Sequence, residues 1–297
     1  MTLIEAVPNV SEGRRPAVIQ SLAAAVEGHA DVRLLDVSSD AVHNRTVMTM
    51  VGPPEALRAA LVSLFAVAID AIDLRTHTGE HPRLGAVDVV PFVPLSPEDM
   101  PVCVDTAVAV AETVAARYDL PVYLYEAAAR IPQRQRLEVI RHGEFEGLAE
   151  KMRASTWWPD FGPRRPHPSA GASVVGARTA LIAFNVNLRT TNLDVARDIA
   201  RHIRASNGGL PAVKAIGLRT ADPEIMQVST NLVDYRTTGL HTVFDAVRTE
   251  ASRRDVTVVS SEIVGLAPAE ALLSTATHHL RLADFTTNRI LDYRLRP

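Results

Sequence analysis

The order in which strand-like and helix-like segments follow one another constrains this chain more than any other feature. Apolar residues with a strand period or a helix period alternate twice as strand, helix, strand, strand, helix, strand. The first half then adds a helix, a strand and a further helical stretch. This order is the split β-α-β arrangement of ferredoxin-like folds. We therefore predict an α+β protein with two similar ferredoxin-like α/β sandwich lobes, each a sheet with helices packed on one face. A cleft between two such lobes is the default place for a ligand.

The predicted elements divide the 297 residues into two domains, 1–175 and 176–297. Strands are predicted at 3–7, 32–37, 46–51, 86–92 and 122–125, and then at 180–188, 213–218, 228–235 and 256–263. Helices are predicted at 16–27, 54–72, 96–118 and 126–152, and then at 192–206, 242–253 and 268–280. The stretch 157–173 contains four prolines and has no period, so we expect a linker that crosses between the lobes.

Charge and composition exclude several classes of function. The formal net charge is -3, which argues against nucleic acid or an anionic membrane as a partner. A single cysteine, Cys103, excludes an internal disulfide and a cysteine-based zinc site. The most apolar long stretch, 56–72, is interrupted by Arg58 and Asp70, and no signal peptide is recognisable. We therefore expect a cytoplasmic protein. Arginine supplies all but two of the 31 basic residues, so anions would be bound by guanidinium groups.

The densest polar cluster lies at 75–88, between a predicted helix and a predicted strand. It contains His77 and His81, two arginines, a glutamate and two glycines, Gly79 and Gly85. Connecting loops often carry function, and these glycines permit a tight turn or a close approach of the backbone. The alternative is a solvated polar connector. A metal site is not expected here, because the histidine spacing converges only on a helix, and Gly79 and Pro82 oppose one.

Two further polar clusters have two interpretations each. The segment 36–45 is either a turn-forming loop or a site that offers a carboxylate, an imidazole and an arginine. Gln227, Ser229 and Asn231 alternate along a predicted strand, and they mark either its solvent face or the lining of a cleft. The histidines on or near predicted helices are expected to be surface residues: His29, His202, His278 and His279.

An ordered series of motifs identifies a family that this chain resembles. The motifs VPNVSEG, LLDV, HNRTV, VGPPEAL, HTGEHPRLGAVDVVPF, PVYLYEAAAR, PDFGP, GARTALIAFNVNL and QVSTNLVDY follow the glutamate formimidoyltransferase family in order across 4–273. The resemblance implies transfer of a formimidoyl group from N-formimidoyl-L-glutamate to N5 of tetrahydrofolate, in histidine degradation and one-carbon metabolism. Tetrahydrofolate, with or without a polyglutamate tail, would be a co-substrate, and no metal is implied. The resemblance also implies the two-lobed fold with a positively lined ligand tunnel for folate between the lobes, a homodimer, and the free-standing form without a cyclodeaminase domain.

The resemblance assigns residues as well. The family's catalytic histidine matches His81, which would act as general acid and base with a pKa near neutrality. Animal members carry an aspartate partner at the position of Ser38, so we expect Asp40, or alternatively a water molecule, to orient His81 instead. The predicted substrate-binding residues are Asn9, Asn44, Arg45 and Arg83. The predicted folate-binding residues are Gly162, Pro163, Arg164, Arg165, Pro166, His167, Pro168, Ser169, Ala170 and Gly171.

Two alternative functions stay open at this point. The change at Ser38 is compatible with a related folate-dependent transfer of a formyl or formimidoyl group that uses another donor or acceptor. A catalytically inactive folate-binding protein is the other alternative, although the intact segment GEHPR around His81 argues against it.

Overall fold

A computed structural model describes residues 2–295 as two compact units, with the boundary between Ala180 and Leu181. The strands of the first unit are β1 (Ile4–Ala6), β2 (Asn9–Val10), β3 (Arg33–Asp40), β4 (Arg45–Gly52), β5 (Val87–Pro94), β6 (Val122–Glu126) and β7 (Ser173–Ala177). Its helices are α1 (Pro16–Glu27), α2 (Pro54–Ala71), α3 (Met100–Tyr118), α4 (Leu137–Arg141) and α5 (Glu144–Lys151).

The second unit contains β8 (Ile182–Arg189), α6 (Leu193–Ile203), β9 (Val213–Arg219), β10 (Ile225–Leu232), α7 (Leu240–Ser252), β11 (Thr257–Val264), α8 (Ala269–Leu280) and α9 (Leu291–Leu295). Its four strands are all antiparallel and lie in the order β11, β8, β10, β9. The predicted sequence of strand, helix, strand, strand, helix, strand therefore describes this unit. α6 and α7 pack with the sheet around a core that includes Val228 and Val247.

The first sheet has seven strands and is mixed. β1 and β2 are separated by Val7 and Pro8, and both pair antiparallel with β4 on one side and β5 on the other. β3 pairs with β4, so the order of β3, β4, β1 with β2, and β5 matches that of the second unit. β7 and β6 extend the sheet beyond β5 as parallel strands. Both units are thus mixed α and β, as predicted.

Helices cover both faces of the sheet where β5, β7 and β6 lie together. Alternate residues of a strand point to opposite faces. On β7, Val175 packs in the core shared with α1, α2 and α3, whereas Val174 packs with Ile140 and Leu148 of α4 and α5. The expectation that helices occupy only one face therefore fails in the first unit. The extra layer brings α4 and α5 to the strand that follows the His81 loop.

The proline-rich stretch 157–173 does not cross between the units. The carbonyl of Phe161 accepts a hydrogen bond from the N–H of Val122 over 2.9 Å, which ties the stretch to β6. The stretch leads into β7. All five residues of β7 are buried, so the strand shows no alternation of apolar and polar positions. The sequence pattern therefore missed β7, and the predicted domain boundary after residue 175 falls inside this strand.

Two other predicted elements differ from the structure. The predicted helix 126–152 is broken, because Glu126 ends β6 and Gly143 takes a φ of 88° that separates α4 from α5. The strand predicted at 32–37 continues to Asp40, so the polar cluster 36–45 consists of two strand ends and a short turn. Among residues 2–295, no helix combines the length and apolar character needed to cross a membrane.

Candidate active site

A small pocket in the first unit gathers residues from three separate segments. It is a tight depression, and it lies where the turn between β3 and β4 meets the loop between α2 and β5. The residues that line it are Ser11, His43, Asn44, Arg45, His77, His81, Arg83 and Asp88. The first two polar clusters of the sequence therefore form one site.

Close backbone packing fixes the His81 loop against the β3–β4 turn. Gly79 lies so near this turn that an added Cβ would stand 2.4 Å from the carbonyl oxygen of His43, which explains a glycine at this position. Asn44 adopts a left-handed φ of 49° and is buried. Its Oδ1 accepts from the N–H of Gly13 over 2.9 Å, and its Nδ2 donates to the carbonyl of Thr78 over 2.9 Å. The amide of Asn44, predicted to bind substrate, thus holds three chain segments together.

His77 uses both of its ring nitrogens inside the protein. Its Nδ1 accepts from Nε of Arg83 over 3.2 Å, so its Nε2 carries the proton and donates to the carbonyl of Asn44 over 3.0 Å. Burial lowers the pKa of His77 and keeps the ring neutral. Because both nitrogens have partners within the protein, His77 orders the loop.

His81 is a neutral hydrogen-bond acceptor. Its Nε2 lies 2.5 Å from Nη1 of Arg45, and a guanidinium can only donate. Burial, followed by the charges of Arg45 and Arg141 and by His43, lowers the pKa of His81 far below its ordinary value. The prediction of a pKa near neutrality is therefore wrong for this environment. Burial and the adjacent positive charges disfavour the protonated form of His81.

Asp40 pairs with His43 and not with His81. Its Oδ2 lies 2.8 Å from Nδ1 of His43, while its Oδ1 accepts from the backbone N–H groups of Val42 and His43, each over 2.8 Å. Although burial opposes the change, the hydrogen bonds from His43 lower the pKa of Asp40. The rings of His43 and His81 meet edge to face with centroids 6.4 Å apart. Asp40 therefore orients His43, whose ring meets that of His81. The sequence analysis assigned no role to His43.

Arg83 and Asn9, both predicted to bind substrate, have partners within the protein. The guanidinium of Arg83 reaches Glu144 over 3.1 Å and Glu146 over 2.6 Å, and its side chain is only 11% exposed. The amide nitrogen of Asn9 donates to the carbonyl of Val7 over 3.0 Å. Arg83 links the His81 loop to α5, and this contact was not foreseen because the predicted continuous helix concealed the start of α5.

An ion pair beside the pocket was missed by the sequence analysis. Asp88 is 2% exposed, accepts from the N–H of Leu84 over 2.7 Å, and pairs with Arg141 of α4. Because a buried carboxylate needs a partner, the isolated Asp88 within the apolar strand 86–93 was a signal that an unassigned cation lies opposite it. The sequence offered no means of choosing Arg141 as that cation.

Backbone hydrogen bonds join the segment 162–171 to the loop that carries His81. The N–H of Ala172 donates to the carbonyl of Leu84 over 3.1 Å, and the N–H of Ala86 donates to Ala170 over 3.0 Å. Gly171 has a φ of 68°, and a Cβ there would stand 2.2 Å from the carbonyl oxygen of Leu84. The segment predicted to bind folate is therefore fixed to the strand entrance that follows His81.

The basic side chains of this segment have different surroundings. The guanidinium of Arg164 stacks on the ring of Trp158 at 3.6 Å, which leaves its N–H edge available to a ligand. Arg165 instead forms an exposed ion pair with Asp119 over 2.6 Å. His167 accepts from the N–H of Ala170 through Nδ1 over 3.0 Å and closes a turn with Gly171.

The third polar cluster lies on β10 in the second unit. Nε2 of Gln227 donates to Asn187 and to Glu262, each over 3.0 Å. Asn185 also donates to Glu262 over 3.0 Å. These side chains form a polar network across three strands of the second sheet.

Comparisons with known proteins agree along the whole chain. The family model "Formiminotransferase domain, N-terminal subdomain" matches residues 3–178, and "Formiminotransferase domain" matches 183–290. The chain is 45% identical to glutamate formimidoyltransferase of Streptococcus pyogenes serotype M1, over 99% of this chain and 98% of that protein. It is 43% identical to the protein of the same name from Thermoplasma acidophilum, with the same coverage. It is also 44% identical to formimidoyltransferase-cyclodeaminase of Rattus norvegicus, over 93% of this chain and 52% of that protein.

Proposed function

The chain belongs to the formiminotransferase family, it transfers a formimidoyl group from N-formimidoyl-L-glutamate to tetrahydrofolate, and we propose that the pocket around His81 carries out this reaction. The observation that carries the proposal is the neutral ring of His81, whose Nε2 accepts from Arg45 beside a loop joined to the segment 162–171. The products are 5-formimidoyltetrahydrofolate and glutamate, and tetrahydrofolate is a co-substrate.

The reaction needs one proton to be removed and another to be supplied. N5 of tetrahydrofolate attacks the formimidoyl carbon, a new carbon–nitrogen bond forms, and a tetrahedral intermediate results. Once Arg45 has turned from Nε2 of His81 to a carboxylate of the donor, N5 loses its proton to the lone pair of that nitrogen. The bond between the same carbon and the glutamate nitrogen then breaks, and that nitrogen takes a proton as it leaves. A positioned imidazole serves both transfers, and such a group contributes about 10²–10⁴-fold to the rate.

Substrate charge adjusts the basicity of His81 in this mechanism. Burial lowers the pKa of His81 most, and the charges of Arg45 and Arg141 lower it further. A carboxylate of the donor that pairs with Arg45 would offset this effect and raise the pKa of His81 toward the value that suits proton transfer. His81 would then accept the proton of N5 only when the donor is in place.

His43 and Asp40 supply the second proton-transfer group in the proposal. The carboxylate of Asp40 lies 2.8 Å from Nδ1 of His43 and orients this ring next to His81, in the way that a carboxylate orients a catalytic histidine. His43 therefore either donates the proton to the leaving nitrogen or returns a proton to His81. This pair compensates for Ser38, where the family's carboxylate is missing.

Several finer features of the family resemblance are part of the proposal. Folate lies along 162–171, with its anionic tail at Arg164. Both units are ferredoxin-like, the protein is a homodimer, and the reaction belongs to histidine degradation. The ligand tunnel stays a prediction from the sequence.

The test is an assay of the purified chain with formimidoylglutamate and tetrahydrofolate, in which 5-formimidoyltetrahydrofolate is followed. We expect turnover by the wild type and a loss of about 10²–10⁴-fold in kcat for His81→Asn. His202→Ala, at an exposed position of α6, is the matched control. Equal activity of His81→Asn and the wild type overturns the role of His81. Preferred turnover of formylglutamate supports the related formyl transfer, and tight folate binding without turnover supports a binding protein.

A further inference from the structure

Three histidines and a carboxylate meet on two helices of the second unit, in a region that the transfer reaction does not use. His241 and Asp245 lie one turn apart on α7, and His278 and His279 lie at the end of α8. The ligand atoms of Asp245, His278 and His279 are all within 4.8 Å of one another. Within residues 2–295, these three side chains form the one group of histidine, cysteine or acidic residues whose spacing suits a metal ion.

The rings of the cluster pack closely together. His241 stacks on His278 with centroids 4.2 Å apart and an angle of 19°, and His279 meets His278 edge to face at 5.3 Å. Nδ1 of His241 is buried, and it has no hydrogen-bond partner among the described residues. An unpaired buried nitrogen costs free energy unless it finds a ligand or a partner.

Asp245 retains one oxygen for a ligand. Its Oδ1 lies 2.8 Å from Arg248, the next turn of α7, whereas its Oδ2 faces Nε2 of His278 at 4.0 Å. A separation of 4.0 Å is too long for a hydrogen bond. Two ligands about 2.0–2.1 Å from a tetrahedral Zn²⁺ lie ~3.3 Å apart, so a small movement of the exposed His278 side chain would bring both atoms to one cation.

We propose that Asp245, His278 and His279 bind a divalent first-row transition metal ion, for which Zn²⁺ is the reference, with His241 packed against them. Neutral imidazoles with one carboxylate are the ligand set that Zn²⁺, Ni²⁺ and Co²⁺ prefer. Mg²⁺ and Ca²⁺ prefer oxygen ligands and are disfavoured here. The side chain of His278 is 54% exposed, so the ion has access from solvent.

The metal would join α8 to α7. Ala271 is the one buried residue of α8, so this helix contributes a single small side chain to the buried core of the second unit. A cavity lined by His241, Ser274, Thr277, His278 and Thr286 lies between these helices and the residues that follow α8. A metal that bridges Asp245 to the end of α8 therefore stabilises a helix that apolar packing holds weakly, because binding to the folded state adds to its stability.

Co²⁺ titration of the full chain tests the site, with visible d–d absorption as the readout. We expect one Co²⁺ per chain in the wild type and a loss of affinity of more than about 10-fold in His278→Ala/His279→Ala, since even the loss of a group that supports a ligand costs 10–100-fold. His202→Ala removes an exposed histidine from α6 and should bind normally. His81→Asn should also bind normally, which excludes the histidines of the catalytic pocket as the source of the signal.

Thermal unfolding with and without Zn²⁺ supplies a second readout. Zn²⁺ should raise the Tm of the wild type and of His202→Ala, and it should not raise that of the double variant or of Asp245→Asn. Circular dichroism establishes that the variants are folded, and exposed His278 and His279 make folding of the double variant the expected result. Unchanged Co²⁺ affinity in both the double variant and Asp245→Asn overturns the proposal and leaves the transfer reaction untouched.

Discussion

The guanidinium of Arg45 donates to Nε2 of His81 over 2.5 Å, so a permanent cation is hydrogen-bonded to the nitrogen that would act as the base. Two consequences follow from this contact. The neutral ring of His81 carries its one N–H proton on Nδ1, and a second proton on Nε2 would face a positive charge. The pair therefore couples the protonation of His81 to the binding of any anion that engages Arg45.

Replacement of Arg45 by methionine should raise the pKa of His81, because it removes the nearest of the charges that lower it. We expect the imidazole to titrate at higher pH in Arg45→Met than in the wild type, with burial and Arg141 still lowering its pKa. NMR of ¹⁵N-labelled histidine, assigned with His81→Asn, measures the change. Identical titration of His81 in both proteins would contradict the coupling.

Asp40→Asn should reduce kcat by at least about tenfold, since it removes the carboxylate that orients His43. His43→Gln should produce a loss of similar size, and the double variant should be little worse than either single one. Ser38→Ala is the matched control on the same strand, and it should leave kcat nearly unchanged. Additive losses in the double variant would show that Asp40 and His43 do not act together.

Arg164→Ala should raise KM for tetrahydrofolate, and it should raise it more for a polyglutamylated folate, because the stacked guanidinium presents its N–H edge to carboxylates. Arg165→Ala removes the same charge from the adjacent position, where Asp119 already pairs with it, and its effect on KM should be smaller. Initial rates at varied folate concentration separate the two. Equal effects would indicate a general influence of charge instead of a specific contact.

Arg83→Met should act mainly on stability. It breaks the contacts with Glu144 and Glu146 and leaves Nδ1 of His77 without a donor, so the free energy of unfolding should fall by about 1–3 kcal/mol. KM for formimidoylglutamate should change little. Urea denaturation and steady-state kinetics test both parts, and a large rise in KM without a loss of stability would return Arg83 to the substrate-binding set.

Stability should decrease as pH falls from 7 to 5. The pKa values of His77 and His81 are lowered in the folded protein, so the unfolded chain takes up protons near pH 6.5 that the folded chain does not. Each such histidine costs up to about 1.4 kcal/mol per pH unit below that value. The free energy of unfolding of His81→Asn should therefore depend less steeply on pH than that of the wild type. Parallel curves for the two proteins would exclude this contribution.

The sequence was a good guide to helices and strands with a clear hydrophobic period. It was a poor guide to the partners of individual side chains. The long helices α2 and α3 and the strands β4 and β5 have strong patterns, and they lie close to where they were expected. β7 was missed because a fully buried parallel strand shows no alternation. The sequence also placed His81, Arg45 and His43 in neighbouring clusters, yet it paired Asp40 with the wrong histidine. Which ring a carboxylate reaches depends on a turn of a few residues, and no period records that geometry.

The position of β7 also determines when the catalytic pocket can form during protein synthesis. Gly171 and Ala172, at the entrance to β7, hold the backbone that follows His81, and β7 fills the space between β5 and β6. A nascent chain leaves the ribosome from its N-terminus, so the loop with His81 emerges long before the strand that fixes it. Translation must therefore proceed beyond Ala177 before the pocket is complete, and until then the edges of β5 and β6 are open to pairing with other chains.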